Sequence, residues 1–150
     1  MTVLDPSGAT RQLTKKECGF GYRQSRFKQD KREIILNASL ELRSEDLTAC
    51  TARMAEYTEH RRRSQPTEPS VGSMFKNPPD DSAGRLIEEA GLKGVRIGSV
   101  QVSQVHANFF VNRGGATSGE VMALVQLVRS RVHERYGIDL ELEIELVGEM

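Results

Sequence analysis

A chain of 150 residues, 37% of them apolar, is long enough for one ordinary core and too short for two full-sized domains. Lysine plus arginine equals aspartate plus glutamate at 21 each, so no global field recruits nucleic acid or an anionic membrane, and an anionic ligand has to be held locally. The longest apolar runs are a few residues, and Met1-Thr2-Val3-Leu4-Asp5-Pro6 lacks the basic and apolar regions of a signal peptide, which sets the expectation of a cytoplasmic protein. Cys18 and Cys50 form no Cys-x-x-Cys pair, and His60, His106 and His133 form no closely spaced ligand set, so no metal site is expected.

In chain order, Thr2-Val3-Leu4 reads as a strand, Asp5-Pro6-Ser7-Gly8 as a turn and Thr10 to Leu13 as the returning strand. A hairpin of two strands is marginal by itself and needs a sheet to join. Glu33 to Leu42 offers the next strand, because Ile34, Leu36, Ala38, Leu40 and Leu42 alternate with Ile35, Asn37, Ser39 and Glu41. Ser44, Glu45 and Asp46 mark a helix start, followed by Leu47, Cys50, Met54 and Tyr57 at roughly helical spacing and ending in His60-Arg61-Arg62-Arg63. Three arginines at a helix carboxyl end are favoured by its dipole, so that run reads as a solvated face ahead of a phosphate contact. Nucleic-acid binding through it is a weak reading, since the chain has no tryptophan and no stacking motif beside the basic run.

Ser64 to Ser70, with Pro66 and Pro69, is the clearest linker, and a domain boundary is placed there. Beyond it, Gly72-Ser73-Met74-Phe75-Lys76-Asn77-Pro78 puts a hydroxyl, an ammonium and an amide between a glycine and a Pro78-Pro79-Asp80-Asp81 stretch that continues neither helix nor central strand. That is a ligand-facing arrangement, and its plain alternative is a strand end whose serine satisfies local backbone. Ser82 to Ala90 reads as a short helix stopped by Gly91, and Ala107 to Val111 as a buried strand. Thr117-Ser118-Gly119-Glu120 matches a capping box, and Val121, Leu124, Val125, Val128 and Val132 supply one apolar face up to Gly137. Asp139 to Val147 alternates strictly, with Leu140, Leu142, Ile144 and Leu146 on one face and Glu141, Glu143 and Glu145 on the other. Solvent exposure is the plain reading of the three glutamates; a place in a site is the sharper one.

Five of these stretches, in order, resemble the UDP-N-acetylenolpyruvoylglucosamine reductase family of bacterial cell-wall synthesis, from Val3 to Gly148. They are Phe20-Gly21-Tyr22-Arg23-Gln24-Ser25-Arg26-Phe27-Lys28, Gly72 to Pro78, Ser82-Ala83-Gly84-Arg85-Leu86-Ile87-Glu88 with Gly91 to Gly94, Val105-His106-Ala107-Asn108-Phe109-Phe110-Val111-Asn112, and Leu140-Glu141-Leu142-Glu143. The resemblance implies an NADPH- and FAD-dependent oxidoreductase acting on a UDP-sugar. It further implies a catalytic set of Arg23, Ser73 and Glu143, with Tyr22, Lys76 and Asn77 contacting substrate. The implied fold class is α+β, the end of a flavin-binding domain followed by the family's substrate-binding domain. Residues 1–63 would be the remnant of the flavin domain, 64–71 a linker, 72–137 the substrate domain, and 138–150 a terminal strand returning to the first domain. The spacing from Ser73 to Glu143 is similar to that of the shorter variety, without an extra lid segment.

One departure is large. The family's amino-terminal portion, with its glycine-rich flavin segments, has no counterpart here, and Gly19-Phe20-Gly21 lacks the third glycine of a dinucleotide fingerprint. The chain therefore reads as a carboxyl-terminal part of the reductase, with the missing flavin domain as an expected partner and most of the flavin site outside it. A non-catalytic UDP-sugar-binding module, or an inactive fragment, is the alternative.

Overall fold

The computed structural model describes residues 1–148. Helices and antiparallel sheet combine in two compact units, Met1–Asp46 and the remainder from Leu47. This division precedes the long second helix, whereas the sequence suggested a boundary at the proline-rich linker after it.

In the first unit, β1 (Thr2–Leu4) pairs antiparallel with β2 (Thr10–Gln12), Val3 opposite Arg11, and with β3 (Ile34–Asn37), giving the sheet order β2-β1-β3. The turn between β1 and β2 is closed by Asp5, whose Oδ1 accepts from the Ser7 amide at 2.9 Å and the Ala9 amide at 3.1 Å. The Ser7 hydroxyl, first among these donors, holds the Asp5 carboxyl below its ordinary range. Val3, Leu13 and Cys18 form the small core, with Met1 and Phe27 packed against it. A one-turn helix, α1 (Arg26–Gln29), brings Arg26 to Glu33, which Arg11 also pairs; the Glu33 side chain is 6% exposed, so it is buried with its charge matched. The strand expected over 33–42 forms only at 34–37, every β3 residue is exposed, and 38–46 adopt no regular element.

The second unit begins with α2 (Leu47–Ser64), a helix with no buried residue. A four-stranded antiparallel sheet follows, in the order β4 (Ser70–Ser73), β7 (Phe109–Asn112), β6 (Val100–Val102), β5 (Arg96–Ile97). The β5-β6 hairpin was not anticipated from the sequence, although Gly98-Ser99 between two short β-branched runs is its local signature. Two capped helices cover the sheet. In α3 (Ala83–Glu89) the Ser82 side chain accepts from the Arg85 amide; in α4 (Ser118–Tyr136) Thr117 and Glu120 form the expected capping box, and the helix ends at Gly137. Leu124, Val125, Val128 and Val132 of α4 are buried against Leu86 and Ile87 of α3 and against Phe75 and Phe110, whose rings meet edge to face at 6.0 Å. Each such side chain contributes about 1.5–3 kcal/mol through burial.

The last expected strand does not form. Residues 139–148 contribute a single bridge, Leu142 opposite Phe75, flanked by the Lys76 amide donating to Glu141 O at 2.8 Å and the Glu143 amide donating to Met74 O at 2.9 Å. The backbone is irregular on both sides of this bridge. Gly72, with φ +84°, sits at an irregularity in the register of β4 between Ser70 and Ser73, and Pro78-Pro79 offers no amide hydrogen beyond Asn77. Leu140 is fully buried, while Leu146 and Val147 are exposed; positions 149 and 150 of the expected strand lie outside the described residues. Among the described residues no helix is long and apolar enough to cross a membrane, and no group of three histidine, cysteine or carboxylate side chains is placed to hold a metal ion.

Candidate functional site

Ser73 closes β4 opposite Phe109, immediately after the left-handed Gly72 and immediately before the buried Met74 and Phe75. The backbone on either side is therefore fixed while the serine itself stays half-buried. Its hydroxyl receives no hydrogen bond from, and gives none to, any described residue, so the reading in which it satisfies local backbone does not hold. It opens instead on a cavity of about 500 Å³ shared with Asn77, Ser82, Arg85, Glu88 and His106. Polar groups converging on a concave surface of this size are the general form of a small-molecule site.

Asn108 holds that loop in place. It is 3% exposed, its Oδ1 accepts from the Phe75 amide at 2.9 Å, its Nδ2 donates to the Phe75 carbonyl at 2.8 Å, and its own carbonyl accepts from the Met74 amide at 2.8 Å. A side-chain amide here stands in for a strand partner, satisfying both polar groups of one buried residue. The Asn108 amide in turn donates to His106 Nδ1 at 3.1 Å, and the buried Ser103 hydroxyl accepts from the Val105 and His106 amides. Nδ1 is thus an acceptor and the imidazole carries its hydrogen on Nε2. Burial, with the Lys93 charge adding to it, keeps the His106 pKa below the ordinary histidine range, in agreement with a neutral ring. Gly84 makes room for this ring: a Cβ there would stand 2.9 Å from His106 Cε1.

The remaining charged groups around the cavity are paired. Arg85 bridges Asp81 and Glu89 along the face of α3, and its guanidinium holds the Asp81 carboxyl below the ordinary range. Asn77 Oδ1 accepts from the Ala83 amide at 3.1 Å, which ties the turn to the start of α3. Lys76 Nζ lies 2.6 Å from Glu141 Oε2, 65 positions away in sequence, and lowers the Glu141 pKa. The carboxyl-terminal segment is what brings these groups in, since the bridge at Leu142 sets Glu141 and Glu143 beside Lys76 and Met74.

Of the residues singled out in the sequence, Ser73 and Asn77 therefore line one cavity. Lys76 and the Glu143 backbone stand next to it on the Met74–Lys76 segment. Tyr22 and Arg23 belong to the first unit. They occupy the corner of a tight turn in which Gly21 and Gln24 exchange both backbone hydrogen bonds, at 3.0 and 3.2 Å. Arg23 adopts φ +53°, a left-handed conformation rare for a residue with a Cβ, and its guanidinium lies 5.5 Å from the Tyr22 ring centroid. Strain of this kind persists where a specific side chain is wanted at a specific place. Arg23→Gly is accordingly expected to raise the stability of the first unit by about 0.5–1 kcal/mol, the strain relieved less the added chain entropy of glycine. Amide exchange of residues 1–46 under native conditions reads this directly, and slower exchange in the variant is the expected result.

His106, Arg85 and Asn108 carried no assigned role in the sequence reading. A polar His-Ala-Asn triplet at the mouth of a buried apolar strand was the available signal.

The family described as "UDP-N-acetylenolpyruvoylglucosamine reductase, C-terminal domain" matches residues 65–147. The UDP-N-acetylenolpyruvoylglucosamine reductase of Heliobacterium modesticaldum is 48% identical over 98% of this chain and 47% of its own length. A protein of the same name from Bacillus licheniformis is 39% identical over 98% of this chain and 80% of its own length. The crystal structure of UDP-N-acetylenolpyruvylglucosamine reductase from Thermus caldophilus superposes with a TM-score of 0.82 at 41% identity, covering 96% of this chain and 50% of that one. The chain spans about half the length of the first of these relatives.

Proposed function

The chain belongs to the UDP-N-acetylenolpyruvoylglucosamine reductase family, as its carboxyl-terminal part, and we propose from this that it supplies the substrate and proton chemistry of that reductase. The complete activity would be the NADPH- and FAD-dependent reduction of UDP-N-acetylglucosamine enolpyruvate to UDP-N-acetylmuramate in peptidoglycan precursor synthesis, in the cytoplasm. The observation that carries this reading is the Ser73 hydroxyl, placed in a polar cavity with no described partner.

The chain's own residues do not fit a flavin. A pyrophosphate needs unspent backbone donors, as at a helix amino terminus. Gly114-Gly115 leads into α4, but that terminus is already taken: Glu120 Oε2 accepts from the Thr117 amide at 2.9 Å and brings its own negative charge. Gly19 and Gly21 flank a turn rather than a helix of useful length. The flavin site thus falls to the amino-terminal half of the family fold, the partner of this chain.

The proposed share of this chain is as follows. Reduction adds two hydrogens across the enolpyruvyl double bond, one of them a proton to the carbon that bears the carboxylate. As negative charge builds on that carbon and its carboxylate, a permanently charged guanidinium such as Arg23 lowers its energy, an effect on the order of 3 kcal/mol for a well-placed donor. The Ser73 hydroxyl then delivers the proton, and Glu143, fixed across from Met74, orients the donor. Tyr22, Lys76 and Asn77 hold the UDP-sugar. A free hydroxyl is a weak acid, so its neighbours have to stabilise the alkoxide, and the exchange of Lys76 from Glu141 to Ser73 on substrate binding would do so.

A single-chain chimera tests this reading. The amino-terminal half of the Heliobacterium modesticaldum relative, joined to this chain, is expected, in the absence of oxygen, to oxidise NADPH beyond the one equivalent that reduces its flavin only when the enolpyruvyl UDP-sugar is present. NADPH oxidation indifferent to that substrate would refute the reading.

A further inference from the structure

The loop 19–25 carries Tyr22 and Arg23, and it holds Arg23 at φ +53°, a conformation that a residue with a Cβ rarely adopts. Inside the loop, the two backbone bonds exchanged by Gly21 and Gln24 oppose the tendency to relax. A turn closed by so few bonds is marginal, and a strained residue persists in it only where the surrounding structure fixes its base.

Arg26 closes that base. Its amide donates to the Cys18 carbonyl at 3.0 Å and its Nη1 to the Glu17 carbonyl at 3.3 Å, so the residue that leaves the loop grips the two that lead into it. Cys18 belongs to the small core, and Phe27, next to Arg26, packs against the same core. The Arg26 guanidinium is in turn fixed by Glu33: Nη2 donates to Oε1 at 3.0 Å and Nε lies 3.0 Å from Oε2, a two-point grip that sets the plane of the group as well as its place. Glu33 immediately precedes β3 and also pairs with Arg11 of β2, so the carboxylate is held across the width of the three-stranded sheet. An ion pair in open solvent restrains its partners weakly, but the Glu33 side chain is 6% exposed and gripped from two sides. We propose that Glu33, acting through Arg26, is a positioning residue for Arg23, locking the base of the loop and so fixing the place of its guanidinium. The use of Arg23 in the reaction rests on the function proposed above; the lock itself is a property of the first unit.

Glu33→Gln removes the charge and sets a donor against the guanidinium in place of one acceptor. In the 150-residue chain, the amides of Gly21 and Gln24 are expected to exchange with solvent at least about tenfold faster in this variant, while those of β1 keep their rates. Arg26→Lys, which keeps a cation beside Glu33 but cannot span both of its oxygens, is expected to act in the same way. Unchanged exchange at Gly21 and Gln24 in both variants, or a uniform acceleration across the first unit, would overturn the proposal. In the chimera described above, Glu33→Gln is expected to lower kcat for the enolpyruvyl substrate by about tenfold, with flavin reduction by NADPH unchanged, and to lower it by less than about twofold further when Arg23 is already alanine. Equal losses in the two backgrounds would show a general structural effect and count against the proposal. A large loss in Arg23→Ala with none in Glu33→Gln overturns the proposal and leaves the proposed function standing, whereas full turnover in Arg23→Ala removes Arg23 from the chemistry and the proposal with it.

Discussion

Ser73→Ala in the chimera is expected to lower turnover of the enolpyruvyl substrate by about 10²–10⁴-fold, the usual contribution of a positioned general acid, while NADPH still reduces the flavin at the unmodified rate. The separation of the two half-reactions is what makes the test specific. A collapse of the cavity would weaken substrate binding and raise KM, whereas loss of the proton donor falls on kcat. Ser73 is well suited to the substitution, because its hydroxyl holds no other described group in place and its Cβ remains in alanine. Ser73→Cys gives a complementary check: the thiol is a stronger acid of similar shape, and partial recovery of turnover over alanine is the expected outcome. Turnover of the alanine variant within about threefold of the parent would remove Ser73 from the chemistry.

The largest effect on stability is expected at Asn108. Asn108→Leu keeps the volume and removes both side-chain partners of Phe75, leaving a buried amide and a buried carbonyl unsatisfied. At about 1–3 kcal/mol for each of the two orphaned groups, the cost is about 2–6 kcal/mol, a large fraction of what an ordinary domain has. Urea unfolding of the 150-residue chain measures it as a lower midpoint at unchanged slope. Asn108→Asp separates the two bonds: the retained oxygen still accepts from the Phe75 amide, while the new oxygen faces the Phe75 carbonyl. It is expected to be destabilising at neutral pH and less so in acid, where the carboxyl protonates and donates in place of Nδ2. A loss below 1 kcal/mol for the leucine variant would mean that the Phe75 groups find other partners.

What could be read in the sequence follows the range of the interaction involved. Both helix starts, at Ser82 and Thr117, were legible because a cap is made by residues three apart, and the apolar face of α4 was legible from its spacing alone. Strand length was not. Glu33–Leu42 and Asp139–Val147 carry clean alternation, yet a strand exists only where another lies beside it; no described residue pairs with 39–42, and the terminal segment meets the Met74–Lys76 segment at one bridge. The site divides the same way. Ser73 and Asn77 stood out from the composition of one short loop, and the structure finds both on one cavity. The bidentate tie of Asn108 to Phe75, 33 positions apart, and the fit of Gly84 beneath His106 depend on which loops the fold brings together, which no local pattern records.

The Leu142–Phe75 bridge also sets an order of events during synthesis. The sheet of the second unit and the two helices that cover it lie before residue 138, while Ile138, Leu140, Leu142 and Ile144 pack onto the core they form, so on the ribosome this segment completes that core only after the elements it covers have emerged. The Ser73 loop, already tied to Asn108 within those elements, gains its backbone bonds to Glu141 and Glu143 only at that later step. A nascent chain interrupted before Leu140 would therefore hold the Ser73 loop from one side only and leave uncovered the apolar surface that Leu140 and Leu142 close, a patch that quality control can detect.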